Sequence, residues 1–278
     1  ITNKTVAIIA VDIFGHPANM KIINQIAKKN NLKVITDNAQ SIGTFSGNKY
    51  SGTHGDIGGF SLNCHKHINT GEGGIVVTNN SKLASRVYKL RNHAEAAVKK
   101  NDTLNNMIGY NFRMGEIEAS IGLSQYKKLK KILLSRTKLL NYLAKEINDL
   151  KGISVHNSEK KFNNYYIFPI VLDLEIIKVS RNRLLNLLKA EGITGLIAGY
   201  ANIHQLPIFQ KKIAYGKHGF PWTLNKNIIN YKKGSCPVAE YLHDKSFIGF
   251  EVCLYSLTKK DVKNITIAFK KIWKYLNI

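Results

Sequence analysis

The sequence predicts an α/β protein with a mostly parallel sheet, followed by a smaller α+β domain. Two observations lead to this fold class. The chain begins with a strand, a helix and a second strand, which is the usual crossover between parallel strands. After a long helical stretch at residues 116–150, strands and helices follow in mixed order. We therefore expect one domain at residues 1–125 and a second domain at residues 126–278.

The first three elements have the clearest patterns. Residues 5–11 form a short β-branched run that predicts a buried strand, and Gly15 and Pro17 mark the turn after it. Apolar side chains at helical spacing predict a helix at residues 20–27, and residues 32–36 predict the next strand. A sheet that opens with its first strand so early is unusual. We therefore expect the sequence to be the later two thirds or so of a longer protein.

Later elements are predicted with the same signals. Two further strands are expected at residues 58–62 and 74–78, on either side of a loop rich in Gly, His and Asn. Ser81 is expected to cap a helix that runs to about residue 90. The long helical stretch is expected to be interrupted near Arg136. The remaining predicted elements are a strand at residues 165–172, a helix that Ser180 opens and that runs to residue 190, and a terminal helix at residues 261–276.

Composition excludes several classes of protein. With 278 residues, of which 44% are hydrophobic and 21% charged, the chain can bury a core, so a disordered or fibrous protein is excluded. No apolar run is long enough for a membrane span, so no membrane partner is predicted. Cys64, Cys236 and Cys253 lie far apart, which predicts neither a disulfide scaffold nor a zinc site and favours the cytoplasm.

The net charge of +23 admits two interpretations. A strongly basic protein often binds nucleic acid, and the charge alone supports that alternative. The lysines, however, are spread evenly and mixed with Asn and Ile, as codon bias in an AT-rich genome would produce. We therefore predict no nucleic-acid partner, and note that a phosphate-bearing substrate would also benefit from the positive field.

Two side chains are candidates for chemistry. Asp37 follows the second predicted strand, where open α/β sheets bind ligands, although an aspartate there could also cap a helix. Lys66 lies between His65 and His67, between two strands and before a glycine-rich turn. A buried lysine near positive charge has a lowered pKa and attacks carbonyl groups, although a scattered surface lysine is the alternative. The two histidines could also suggest a metal site. Residues so close in sequence point in different directions, however, and no carboxylate lies at ligand spacing, so no metal site is predicted.

An ordered series of motifs resembles the DegT/DnrJ/EryC1/StrS family of sugar aminotransferases. The motifs are DNAQ at 37–40, GDIG at 55–58, FS at 60–61, KHINTGEGG at 66–74 and GYNFRMGEIEA at 109–119. The resemblance covers essentially the whole chain and fades in the second domain. It implies fold type I of the pyridoxal 5'-phosphate (PLP)-dependent transferases. Residues 1–125 would then be the C-terminal part of the large PLP-binding domain, and residues 126–278 the small domain.

The resemblance also implies roles for individual residues. Lys66 matches the lysine that bonds the cofactor covalently and then moves the proton, and Asp37 matches the aspartate that holds the pyridine nitrogen protonated. Gln40 matches a contact to the phenolic oxygen, and Ser61 a contact to the phosphate. Asn111 matches a residue that reaches the phosphate of the neighbouring subunit, which implies a homodimer with shared active sites. The candidate substrate contacts are His65, His67 and Arg113.

The implied reaction is transamination of a keto sugar, often nucleotide-linked, for the biosynthesis of amino sugars and surface polysaccharides. L-Glutamate would be the amino donor and 2-oxoglutarate its product. One branch of the family has histidine in place of the lysine and dehydrates keto sugars. Here the fifth residue after Ser61 is Lys66, which favours transamination. A dehydratase and a non-catalytic regulatory or binding protein remain the alternatives, and intact Lys66 and Asp37 argue against the latter.

Some positions depart from the family pattern. Thr36 stands where relatives usually have glutamate, and Asp12 where they usually have histidine. The Ser-Gly-Thr phosphate cup and the aromatic ring that stacks on the cofactor precede the matched region. We therefore expect the chain by itself to bind the cofactor weakly and to be inactive.

Overall fold

The computed structural model describes residues 1–95, 107–155, 163–224 and 230–278. The chain divides into two compact units. None of the described helices is long and apolar enough to cross a membrane. The predicted domain boundary after residue 125 stays a prediction. The first unit comprises Ile1–Tyr142, Ser158–Ile167 and Val252–Thr258, and the second comprises Leu143–Asn157, Phe168–Glu251 and Lys259–Ile278.

The first unit contains β1 (Ala7–Val11), α1 (Met20–Lys29), β2 (Lys33–Asp37), β3 (Phe45–Ser46), β4 (Lys49–Tyr50), β5 (Ile57–Ser61), β6 (Gly74–Val77), α2 (Ser81–Arg91) and the greater part of α3 (Glu116–Asn148). Four of the strands form a sheet with the order β1-β2-β5-β6. Strands β1, β2 and β5 are parallel, and β6 is antiparallel to β5, so the prediction of a mostly parallel sheet is confirmed. Asp37, the last residue of β2, pairs with Val11, the last residue of β1, and with Gly59 in the middle of β5.

The core of this unit lies on one face of the sheet. Met20 and Ala27 of α1 pack against Ala10 and Val34 of the first two strands. Because side chains alternate along a strand, the neighbouring positions point to the opposite face. Three residues on that face keep more than a third of their surface exposed: Ile9, Ile35 and Val76.

A second cluster fixes the loop between β5 and β6. Leu62 and Ile68 pack against Leu129 and Leu133 of α3, and all four are buried. Thr70 donates its backbone N–H to the carbonyl of Leu62 at 2.9 Å, which closes the loop. Lys66 is therefore carried by a loop that is anchored at both ends.

Two predictions about helices are wrong. Helix α3 is continuous through Arg136. The polar residues there make tertiary contacts instead of ending the helix: Thr137 donates its hydroxyl to the carbonyl of Asn163 at 2.9 Å. Helix α2 is capped by Asn80, one residue before Ser81, because the Asn80 side chain accepts the N–H groups of the second and third helical residues.

The second unit contains β7 (Ile153–Val155), β8 (Phe168–Leu172), α4 (Leu174–Ile177), α5 (Arg181–Ala190), β9 (Leu196–Ala198), α6 (Pro207–Lys211), α7 (Pro237–Tyr241), β10 (Phe247–Phe250) and α8 (Lys259–Leu276). Its strands form an antiparallel sheet with the order β7-β8-β10-β9. Helix α5 begins after Ser180, whose side chain caps it, as predicted. The predicted strand at residues 165–172 begins only at Phe168, since Tyr165 has a positive φ of 50°.

Candidate active site

Asp37 and Ser61 lie where the sequence predicts a ligand, at the carboxyl ends of β2 and β5. Both line one cavity of about 440 Å³, together with Phe60 and the glycine-rich start of β6. The Asp37 carboxylate accepts the N–H of Ala39 at 3.0 Å, and a turn, not a helix, follows it. The interpretation of Asp37 as a helix cap is therefore wrong. The residue is exposed and lines the cavity.

Lys66 is half-buried in the loop after β5. Its backbone N–H is donated to the carbonyl of Asn63 at 2.9 Å, which makes a tight turn. Burial lowers the pKa of Lys66, while negative charge on Cys253 and Asp37 acts in the opposite direction. The amine is thus within electrostatic reach of Asp37 and has the character of a carbonyl nucleophile.

The two histidines beside Lys66 differ in environment. His65 is exposed, and its backbone N–H is donated to the side chain of Asn63. His67 is buried, its Nδ1 contacts the Arg136 guanidinium, and the Cys253 sulfur lies 3.4 Å from the same nitrogen. Burial, and then the charge of Arg136, lowers the pKa of His67 to about 3, so the ring is neutral at pH 7. The substrate contacts predicted for both histidines stay predictions.

Gln40 is placed by the segment after β1. Its side-chain oxygen accepts the N–H of Phe14 at 2.6 Å, and Phe14 has a positive φ of 57°. The side chain therefore stabilises a local conformation that a bulky residue rarely adopts. Its predicted contact with the phenolic oxygen of the cofactor stays a prediction.

Asn111 and Arg113 form a cluster with Asn92. Asn92 and Asn111 are antiparallel bridge partners. The Arg113 guanidinium donates to the side-chain oxygens of Asn111 at 3.0 Å and Asn92 at 3.1 Å. Both Asn111 and Arg113 are exposed, so this pairing leaves them on the protein surface. Their predicted contacts, to the partner's phosphate and to substrate, stay predictions.

Sequence reasoning missed a buried carboxylate beside the site. Asp12 follows β1 and accepts the side-chain amide of Asn38 at 2.6 Å, the hydroxyl of Ser41 at 3.0 Å and the N–H of Ala18 at 2.8 Å. Ser51 also donates its hydroxyl to this carboxylate. Asn38 directly follows Asp37, so the network anchors the segment that presents Asp37. The sequence does mark Asp12, because relatives usually have histidine at this position. It does not identify the groups that donate hydrogen bonds to the carboxylate.

Tyr166 and Arg136 were also missed as site residues. The Lys66 Nζ lies 4.2 Å from the centroid of the Tyr166 ring, and Arg136 contacts His67. Both side chains come from parts of the chain far from the loop. No local pattern marks them, because their contacts arise from tertiary packing.

The profile of the DegT/DnrJ/EryC1/StrS aminotransferase family matches residues 1–241. The chain belongs to this family. An uncharacterised protein of Methanocaldococcus jannaschii is 30% identical over 282 residues, a match that covers 98% of this chain and 68% of the relative. GDP-perosamine synthase of Escherichia coli O157:H7 is 36% identical over 231 residues, covering 83% of this chain and 61% of the enzyme. The chain thus spans about two thirds of these DegT/DnrJ/EryC1/StrS relatives.

Solved structures confirm the fold class. The aminotransferase PseC of Helicobacter pylori matches with a TM-score of 0.79 at 23% identity, covering 99% of this chain and 68% of PseC. A second match is GDP-4-keto-6-deoxy-D-mannose-3-dehydratase of Escherichia coli, solved with hydrated PLP. It has a TM-score of 0.77 at 25% identity, covering 97% of this chain and 68% of the dehydratase. The aminotransferases of this family depend on PLP, so the predicted cofactor is confirmed.

The described residues fit this cofactor chemically. A half-buried amine with a lowered pKa can bond an aldehyde, and an acidic side chain lies within its electrostatic reach. The Ser61 hydroxyl, a donor suited to a phosphate, lies on the same cavity as Asp37. Lys66, Asp37 and Ser61 are therefore the residues that would hold PLP.

Proposed function

We propose that the protein is a PLP-dependent aminotransferase that moves the amino group of L-glutamate to a nucleotide-linked keto sugar. The observation that carries the proposal is Lys66, a half-buried amine with a lowered pKa beside Asp37. Relatives support the substrate class: besides the perosamine synthase, one is the dTDP-4-amino-4,6-dideoxy-D-glucose transaminase of Shigella dysenteriae.

Each site residue has a distinct task in this reaction. PLP, when bound, supplies an electron sink for the carbon that loses its proton. The neutral Lys66 amine acts as nucleophile toward carbonyl carbon and afterwards carries a proton on Nζ. Asp37 holds a proton on the pyridine nitrogen by its negative charge. Ser61 binds the phosphate with its hydroxyl, and Gln40 contacts the phenolic oxygen.

The reaction has a simple test that separates it from dehydration. The full-length protein with PLP, L-glutamate and a GDP- or dTDP-linked 4-keto-6-deoxy sugar should form 2-oxoglutarate and amino sugar in equal amounts, measured by mass spectrometry. Loss of water from the sugar without formation of an amino sugar would support the dehydratase alternative. Cofactor binding without either reaction would support a regulatory protein.

We also propose that the enzyme is a cytoplasmic homodimer whose active sites are shared. Around Asn111 the described chain exposes apolar surface. The Tyr110 and Phe112 rings stack with their centroids 5.0 Å apart, and Phe112 keeps 68% of its surface exposed. Exposed apolar patches of this kind are typical of protein interfaces. The three cysteines are free, which suits a reducing compartment.

Complementation should show the shared site. Lys66→Ala and Asn111→Ala should each be nearly inactive alone. If Asn111 serves the partner's site, mixed heterodimers place both lesions in one site and leave the other intact, so activity returns to at most about half of the sites. Mixing that restores nothing, although mass spectrometry demonstrates subunit exchange, would mean that Asn111 acts in its own chain.

A further inference from the structure

The Lys66 amine rests on the face of an aromatic ring. Its Nζ lies 4.2 Å from the centroid of the Tyr166 ring, well within the range of a cation–π contact. The Tyr166 backbone N–H is donated to the carbonyl of Phe14 at 3.0 Å and to the side chain of Asn164 at 3.1 Å. The ring is therefore carried by a backbone segment with fixed hydrogen bonds.

The groups around the Lys66 amine differ in which protonation state they favour. Burial favours the neutral amine, whereas Asp37 and Cys253 favour the ammonium. Cys253 does so only as a thiolate, yet burial raises the pKa of its thiol to about 11 in spite of the charges of Arg136 and Lys66. His67 is neutral and meets the Tyr166 ring edge-on, with centroids 6.4 Å apart. Among the described groups that act on the amine, the ring face and Asp37 therefore remain to favour its charged form at pH 7.

We propose that Tyr166 is a positioning residue whose ring holds the Lys66 amine as an ammonium in a defined resting place whenever the amine carries no covalent partner. An aromatic ring attracts the ammonium through its quadrupole and attracts a neutral amine less, so it favours the charged form without a buried countercharge. The contact is weak enough to release the amine once it loses its proton. The part that concerns the reaction rests on the proposed function.

The test measures the amine in the cofactor-free protein. Competitive acetylation across a pH series, followed by mass spectrometry of the Lys66 peptide, gives a midpoint for its reactivity, with exposed Lys28 as internal standard. Tyr166→Leu should move the Lys66 midpoint to lower pH by about 0.5 to 1 unit, the shift that corresponds to a cation–π contact. Tyr166→Phe, which keeps the ring face, should leave the midpoint unchanged.

Opposite results overturn the proposal. If Tyr166→Leu merely left a cavity that admits water, the acetylation midpoint of Lys66 would move to higher pH, because solvation favours the ammonium. No shift in Tyr166→Leu, or an equal shift in Tyr166→Phe, would also contradict a role for the ring face. If Tyr166→Leu does not fold, fluorinated phenylalanines at position 166 keep the shape, and the midpoint should fall with each added fluorine. A midpoint independent of fluorination would overturn the proposal.

The role in the reaction is tested separately. In the PLP-loaded enzyme, Tyr166→Leu should shift the ascending limb of the kcat pH profile in the same direction as the acetylation midpoint, and Tyr166→Phe should not. A kcat profile that stays in place while the midpoint shifts would overturn the reaction part. The acetylation experiment contains neither cofactor nor sugar, so its outcome is independent of whether the proposed function is correct.

Discussion

Lys66→Arg should abolish amino transfer, with a fall in turnover on the order of 10⁴-fold or more, since it removes both the nucleophile and the group that carries the proton. The guanidinium keeps the positive charge but stays protonated at every working pH, so it neither bonds a carbonyl carbon nor accepts a proton. The variant should still bind cofactor, because the Asp37 carboxylate and the Ser61 hydroxyl remain. Turnover is measured as formation of 2-oxoglutarate from glutamate.

Borohydride reduction provides an independent check on the same residue. In the full-length protein it should fix PLP irreversibly to one peptide, the one that contains Lys66. The matched control is Lys28→Arg, an exposed position where the same exchange should change neither labelling nor turnover. Label on any other lysine would show that the nucleophile has been assigned to the wrong residue.

The sequence predicted those site residues whose position depends on local pattern. Asp37 ends a strand with a clear β pattern, and Ser61, which only the resemblance names, ends the neighbouring strand; parallel strands bring their carboxyl ends to one edge of the sheet. Lys66 was found because a lysine between strands and before a glycine-rich turn is unusual. Each of these inferences needs only a short window of sequence, and the roles of the three residues stay predictions.

Residues that reach the site by tertiary packing were not predictable in this way. Arg136 and His67 are 69 residues apart, and Cys253 is 186 residues from His67. The prediction of a break in the long helix near Arg136 was wrong, because polar side chains in a helical pattern were interpreted as loop residues. The structure shows that the residue faces a buried histidine, so its polarity is required by a contact outside the helix.

Asp12 illustrates a second limit. On its own it is only a departure from the family pattern, and a buried carboxylate without donors would be unfavourable. The structure supplies donors from Asn38, Ser41 and Ser51, all distant from it in the sequence. The meaning of the departure therefore lies in the set of partners, which a single sequence does not display.

Asp37→Asn should reduce turnover roughly 10³-fold, with a smaller loss of cofactor binding. The amide keeps the shape and the oxygen that accepts the N–H of Ala39 at 3.0 Å, so the turn after β2 is preserved. Only the negative charge is lost, and with it the means to keep the pyridine nitrogen protonated. Turnover and PLP affinity are measured side by side, so that loss of the charge is distinguished from loss of the cofactor.

The same substitution has a second expected effect, on Lys66. Negative charge on Asp37 raises the pKa of Lys66, so its removal lowers that pKa further, and the acetylation midpoint of Lys66 should move to lower pH in the cofactor-free protein. The matched control is Asp56→Asn, because Asp56 belongs to the same unit and also accepts a backbone N–H, from Val34 at 2.8 Å. That variant should keep both the midpoint and the turnover. A near-normal rate in Asp37→Asn, with Asp56→Asn behaving likewise, would mean that the Asp37 carboxylate serves only its own turn.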